Sequence, residues 1–95
     1  HRHRAAVGRL RVAFAALADP AWQVRRGAAT ALGALAEPSE PLLGALEDEH
    51  PNVRRAAVQA LGKWAEVPAV AARLQARRAD SDADVRAYTR MALGG

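Results

Sequence analysis

Apolar residues recur along this chain at the spacing of a helix. Near the N-terminus the spacings are three or four residues, which places the apolar side chains on one helix face. This first stripe consists of Val7, Leu10, Phe14 and Leu17. Two shorter apolar groups each follow a proline: Leu42, Leu43 and Leu46 follow Pro41, and Val70, Ala71 and Leu74 follow Pro68. Each of the three patterns predicts a short helix.

A longer pattern, Asp-x4-Val-Arg-x5-Ala-Leu-Gly, follows each short one. Its three copies run from Asp19 to Gly33, from Asp48 to Gly62 and from Asp80 to Gly94. The valines of the first and second copies are 29 residues apart, and those of the second and third are 32 apart. Repeats of this length predict a solenoid, in which similar helical units stack side by side.

Each long pattern predicts a helix with one buried face. The valine, the residue four later and the Ala-Leu pair lie within about 100° of one another around the helix axis. These predicted core stripes are Val24, Ala28, Ala31 and Leu32; Val53, Ala57, Ala60 and Leu61; and Val85, Thr89, Ala92 and Leu93. Leu35 and Trp64 extend the first two stripes by one turn. At the helix starts, Pro20 and Pro51 suit a first turn, and Ser81 with Asp84 resembles a capping box.

The alternation of short and long patterns predicts an all-α fold, an α-α superhelix of three antiparallel helix pairs. We expect helices at 5–18 and 20–36, at 39–47 and 51–65, and at 67–79 and 82–94. We expect one domain over residues 1–95, with repeats at approximately 5–36, 39–65 and 67–94, because 95 residues are too few for two independent cores.

Composition narrows the class of protein. Apolar residues make up 51% of the chain, but many are alanine, and Phe and Tyr occur once each, which favours helices over strands. Cysteine is absent, so disulfides and thiolate metal sites are excluded, and we expect a cytoplasmic location. No apolar run reaches the ~20 residues that cross a bilayer, so we expect no membrane association. The first residue is His1, from which we expect a fragment or a trimmed chain.

The net charge of +4 is a weak basic signal. Four arginines fall within the first eleven residues, which leaves the rest of the chain close to neutral. They are Arg2, Arg4, Arg9 and Arg11. A basic balance permits contact with nucleic acid or with an acidic partner.

The string Asp-x4-Val-Arg-x2-Ala-x2-Ala-Leu-Gly resembles the HEAT repeat, in the short HEAT-like form of phycobilin lyase subunits and related proteins. The resemblance covers nearly the whole chain, and the third copy departs from it only at Thr89, where alanine is expected. It implies a right-handed superhelix in which the second helix of each pair lines the concave side. It also implies a structural ladder between neighbouring units, formed by Asp19, Asp48 and Asp80 with Arg25, Arg54 and Arg86.

No group of residues predicts catalysis, which needs converging nucleophiles, bases or metal ligands. We interpret His50 as a solvated turn residue, Glu47 to Glu49 as a solvated hairpin tip, and His1 and His3 as part of a frayed terminus. We therefore expect no enzyme activity, cofactor, metal or small-molecule substrate.

The second helices carry polar residues on the side away from the core stripe. In a stacked solenoid these residues form adjacent rows on the exposed concave surface, where repeat proteins commonly bind other proteins. We predict a protein-binding surface formed by Gln23, Arg26, Thr30, Asn52, Arg55, Gln59 and Lys63. In the third unit the equivalent positions are Asp84, Ala87 and Met91.

Two other functions remain open. Arg26, Arg55 and Lys63 could contact DNA phosphates, with the arginine-rich start as an arm, as in a HEAT-like family of alkylpurine DNA glycosylases. Alternatively, the chain is a structural repeat segment of a larger enzyme, by analogy with the HEAT-like tail of epoxyqueuosine reductases. Neither end has a dedicated polar face, so we expect both ends to self-associate or to abut further repeats.

Overall fold

The computed structural model describes the backbone of residues 2–95 and the side chains of residues 7–95. Over residues 2–95 it contains α-helices, 3₁₀ turns and no strand: α1 (Arg2–Ala16), α2 (Trp22–Leu35), α3 (Glu40–Gly44), α4 (Pro51–Leu61), α5 (Pro68–Gln75) and α6 (Ala83–Leu93). Short 3₁₀ turns prolong α3, α4 and α5 over Ala45–Glu47, Gly62–Trp64 and Ala76–Ala79. The all-α fold of paired helices is confirmed. His1 and the side chain of His3 lie outside the described residues.

The second helices form the spine of the stack. Helix α2 packs against α4, and α4 packs against α6. Helix α1 packs against α2, and helix α5 packs against α6. One apolar cluster runs through all three pairs. Its largest fully buried members include Leu32, Leu46, Leu61, Leu74 and Val85, each of which stabilises the fold by about 1.5–3 kcal/mol.

Helices α2 and α4 approach each other closely at Gly33. A Cβ atom at Gly33 would lie 2.5 Å from Cβ and 2.8 Å from Cα of Ala60. Gly33 therefore lies inside α2 because no side chain fits between the helices at this point.

The predicted core stripes are correct for α4 and only partly correct for α2. Val53 and Leu61 of α4 are fully buried, and so is Val85 of α6. In α2, however, Val24 is 41% exposed and Leu35 is 39% exposed. The reason is positional: α4 has a neighbouring second helix, α2, on this side, whereas the same side of α2 has none among the described residues. Thr89 is buried, and its hydroxyl donates to the carbonyl of Val85 at 2.7 Å. This hydrogen bond satisfies the hydroxyl away from water.

Two of the predicted helix starts are wrong. The cap of α6 is Asp82, whose carboxylate accepts from the Val85 amide at 2.9 Å. The capping box predicted from Ser81 does not form because Ser81 lies one residue too far from the helix start. Pro20 precedes the cap of α2 and lies outside the helix, whereas Pro51 is the first residue of α4.

The C-terminus of α6 closes as a Schellman motif. The Gly95 amide donates to the Arg90 carbonyl at 2.8 Å, and the Gly94 amide donates to the Met91 carbonyl at 3.3 Å. Gly94 has a φ of 76°, a conformation that glycine adopts without a steric penalty. Across residues 2–95, no helix has the length and apolarity to cross a membrane.

Candidate functional site

The structure joins the repeated arginines and aspartates in pairs between neighbouring units. Arg25 donates from Nε to Oδ2 of Asp48 at 2.9 Å and from Nη2 to Oδ1 at 3.2 Å. Arg54 donates from the same two atoms to Asp80, both at 3.0 Å. Each pair is bidentate, which fixes the relative orientation of guanidinium and carboxylate.

The third guanidinium nitrogen of each arginine holds the turn before its own helix. Nη1 of Arg25 donates to the carbonyl of Asp19 at 2.8 Å, and Nη1 of Arg54 donates to that of Asp48 at 2.8 Å. Arg86 donates in the same way to the Asp80 carbonyl at 2.7 Å. Each of the first two arginines therefore ties the turn of its own unit to the turn of the next.

The ladder aspartates accept backbone amides within their turns. Asp48 Oδ1 accepts from the His50 amide at 2.9 Å, and Asp80 Oδ1 accepts from the Asp82 amide at 2.9 Å. Asp19 accepts from the Ala21 amide at 2.8 Å. The acceptor lies two residues before the donor, so these aspartates form Asx turns and do not cap the helices that follow.

Charge and burial act in opposite directions on the two paired carboxyl groups. Burial raises the pKa of Asp48 and Asp80, but hydrogen bonds from Arg25 and Arg54, together with the backbone amides, outweigh it. The pKa of both carboxyl groups consequently lies below the ordinary value. The hydrogen bond to Asp48 in turn raises the pKa of the Arg25 guanidinium.

The third unit adds one contact that the repeat pattern does not contain. Arg77 donates to Asp80 Oδ2 at 2.9 Å, and it lies in the 3₁₀ turn that follows α5. The corresponding residue before Asp48 is Ala45. The Asp80 side chain is 1% exposed and that of Asp48 is 13% exposed, so the second step of the ladder is the more buried one.

The predicted binding residues lie on α2, on α4 and in the turn after α4, and three of them, Thr30, Gln59 and Lys63, line one groove. The residues are exposed or half-buried, and we call this set the second-helix surface: Gln23, Arg26, Thr30, Asn52, Arg55, Gln59 and Lys63. Thr30 and Gln59 occupy the same position in successive repeats, as do Arg26 and Arg55.

Each cation of the second-helix surface lies over an aromatic ring. The Arg26 guanidinium is 5.2 Å from the Trp22 ring centroid, and the Lys63 ammonium is 6.0 Å from that of Trp64. These distances are typical of cation–π contacts. Sequence alone does not predict these contacts, and the core stripe assigns Trp64 to the interior.

Arg55 contacts both an aromatic ring and an acid from the third unit. Its guanidinium lies 5.9 Å from the Tyr88 ring centroid, and its Nη1 lies 3.9 Å from Oδ2 of Asp84. Asp84 thus partly neutralises the centre of the second-helix surface, and Arg26 and Lys63 carry most of its positive charge.

Two grooves cross the second-helix surface. One lies between α2 and α4 and is lined in part by Thr30, Gly33 and Ala60. The other lies between α4 and α6, where Tyr88 and Met91 form part of its wall. Gln59 and Lys63 line both grooves. Gln59 and Lys63 therefore form the ridge between the two grooves. A peptide segment that crosses this ridge would contact both grooves.

His50 is a structural residue and not the solvated turn residue that we expected. Its ring stacks on Trp22 with the centroids 4.0 Å apart and the planes 11° from parallel. Its Nδ1 accepts from the Asn52 amide at 3.1 Å and caps α4. Sequence alone could not predict that the His50 ring stacks on Trp22, because the two residues lie in different repeat units.

The described side chains contain no arrangement suited to metal chemistry. Among residues 7–95, no three histidine, aspartate or glutamate side chains come together as metal ligands. Every buried side-chain nitrogen and oxygen in that range has a hydrogen-bond partner. In the acidic run from Glu47 to Glu49, Asp48 belongs to the ladder, and Glu49 forms an ion pair with Arg25, with Oε1 lying 3.7 Å from Nη2.

Comparison with known proteins agrees with the geometry. The family model for HEAT repeats matches residues 10–94, which is nearly the whole chain. A search of curated proteins finds no match. HEAT repeats are generally protein-interaction scaffolds and are typically non-catalytic. The match covers all the second helices and both steps of the ladder, and the chain therefore belongs to the HEAT repeat family.

Proposed function

We propose that this chain is a non-catalytic scaffold that binds an acidic segment of a partner protein along the second-helix surface. The observation that carries the proposal is the position of Arg26 and Lys63. Both are exposed cations held over aromatic rings, and Lys63 lies on the ridge between the two grooves. A cation already positioned over a ring loses less side-chain entropy when it pairs with a carboxylate.

The ladder supports this proposal by fixing the surface in shape. The arginines at positions 25 and 54 are taken up by carboxylates and carbonyls within the chain. Of their neighbours, Arg26 is exposed, and Arg55 is half-buried beside Tyr88 and Asp84. In the first unit, the two consecutive arginines therefore divide into a structural residue and an accessible one.

Nucleic acid fits the same surface less well. Asp84 opposes Arg55 and would repel phosphates at the centre of the row. The Trp22 ring stacks on His50, so one of its faces is closed to bases, which in nucleic-acid complexes stack on open aromatic faces.

The test is affinity capture from a host lysate, with and without nuclease, using three baits. The first bait is the unaltered chain, and the second is Arg26→Glu/Lys63→Glu. The third is Arg9→Glu/Arg11→Glu, which makes the same change in net charge on α1. Circular dichroism of all three baits checks that the helices are retained.

The proposal predicts a protein partner that survives nuclease treatment and remains with the third bait but is lost from the second. A partner that disappears on nuclease treatment would instead assign the surface to nucleic acid. Equal capture by the first two baits would rule out the second-helix surface as the binding site.

A further inference from the structure

The N-terminal end of the stack carries an open apolar groove. It lies between α1 and α2 and has a volume of about 460 Å³. Val12, which is 70% exposed, borders it. We call it the N-terminal groove, and its lining includes Gly8, Arg9, Val12, Gly27, Ala31 and Leu35.

The α2 side of this groove repeats a surface that is covered elsewhere in the chain. A shift of 29 residues converts Gly27, Ala28 and Ala31 into Ala56, Ala57 and Ala60 of α4. Ala56 and Ala57 are buried, and α2 packs on this side of α4 with Gly33 against Ala60. The N-terminal groove is therefore shaped to receive a helix in the way that α4 receives α2.

The ladder is incomplete at both ends of the chain. Among residues 7–95, no arginine side chain donates to the carboxylate of Asp19, although the carboxylates of Asp48 and Asp80 each receive two hydrogen bonds from the arginine of the preceding unit. At the other end, Arg86 donates only to the Asp80 carbonyl, and no carboxylate in that range takes its remaining donors. One end thus offers a carboxylate at the ladder position, and the other end offers a guanidinium.

The outer face of α6 carries an exposed arginine. Arg90 occupies the position that corresponds to the fully buried Ala29 and Val58 of the other second helices, and it is exposed. The packing of Gly33 against Ala60 implies that Ala29, one turn earlier, faces Ala56. By the same register, Arg90 of one copy would face Gly27 of another, where an added Cβ atom meets no atom within 4 Å.

We propose that the N-terminal groove binds the α6 end of a second copy of this chain, head to tail. The contact continues the stacking of α2 on α4 and of α4 on α6 across two molecules. In it, Arg86 of one copy donates to Asp19 of the next, and the stem of Arg90 lies over Gly27. Because the two surfaces are different, the contact is heterologous and leaves one free end of each kind, so the assembly can grow.

Sedimentation velocity with end-blocked variants tests this proposal. Gly27→Lys blocks the N-terminal groove by bulk and by repulsion of Arg90, and it is compatible with folding because its Cβ enters open space. Arg86→Glu blocks the α6 end. Arg90→Glu provides a second block at that end in case Arg86→Glu lowers stability.

The proposal predicts that the mass of the unaltered chain increases with concentration from the micromolar to the submillimolar range. Each blocked variant alone sediments as a monomer. An equimolar mixture of Gly27→Lys with either α6-end variant gives a species of twice the monomer mass that does not grow further, since only one competent pair of ends remains.

Two outcomes would overturn the proposal. The unaltered chain could stay monomeric over the whole range, and the groove would then belong to a different occupant. Alternatively, Gly27→Lys could be monomeric while both α6-end variants still dimerise, which would show that two N-terminal grooves meet each other.

Discussion

Arg54 holds Asp80 by two parallel hydrogen bonds, Nε to Oδ2 and Nη2 to Oδ1, each 3.0 Å long and spanning 26 residues of sequence. Through its third nitrogen the same guanidinium binds the carbonyls of Asp48 and Glu49 at 2.8 and 3.2 Å. One side chain therefore connects two inter-helix turns that are remote in sequence. The position of α6 relative to α4 depends directly on this connection.

The ladder should contribute unequally to stability at its two steps. Asp80→Asn removes the charge that both Arg54 and Arg77 bind, and we expect it to lower the free energy of unfolding by about 2 kcal/mol. Asp48→Asn should cost less, because Asp48 pairs bidentately with one arginine and is more exposed. Urea denaturation measures both, with the exposed Asp84→Asn as the control. Equal losses at positions 48, 80 and 84 would contradict this account.

The lowered pKa of the ladder carboxyl groups predicts a loss of stability in acid. The folded pKa of Asp48 and Asp80 lies below the ordinary value, which is about 3.9 in the unfolded chain. Their contribution is therefore complete above that value and is lost as the pH falls through it towards the folded pKa. We expect the free energy of unfolding to decline below about pH 5. In Asp48→Asn/Asp80→Asn the decline should be shallower, and an unchanged slope would show that other groups cause it.

Two glycines of α2 provide a matched pair for testing the close packing of α2 on α4. Gly33→Ala should destabilise by about 1–3 kcal/mol, because its Cβ would meet Ala60 at 2.5 Å. Gly27→Ala should stabilise by about 0.5–1 kcal/mol through helix propensity alone, since its Cβ meets nothing within 4 Å. Thermal unfolding in dilute solution distinguishes the two. Gly33→Ala/Ala60→Gly should recover part of the loss, and no recovery would mean that Ala60 is not the obstacle.

Leu35 of α2 and Leu61 of α4 should contribute differently to stability because their neighbours differ. Leu61→Ala removes a fully buried side chain and should cost about 2–5 kcal/mol. Leu35→Ala removes a side chain that is already partly exposed and should cost clearly less. Urea denaturation of the monomer compares them, and equal costs would show that Leu35 is covered in solution.

The sequence predicted the helix pairs because the apolar period and the repeats are local signals. The prediction of buried residues failed where burial depends on whether a neighbouring second helix is present. Val24 and Val53 occupy the same position of the same pattern, yet only Val53 has a second helix packed against it. It also missed the stacking of His50 on Trp22, since these two residues come from different units. The contact of Arg77 with Asp80 is local but was missed because the repeat pattern does not contain it.

The most direct test of the protein-binding account is a calorimetric titration of the captured partner onto the purified chain. We expect Arg26→Glu/Lys63→Glu to weaken binding at least tenfold, which corresponds to about 1.4 kcal/mol. Arg9→Glu/Arg11→Glu should leave the affinity unchanged despite the same change in charge. Equal weakening by the two pairs would show that net charge alone governs binding, and it would contradict a binding site on the second-helix surface.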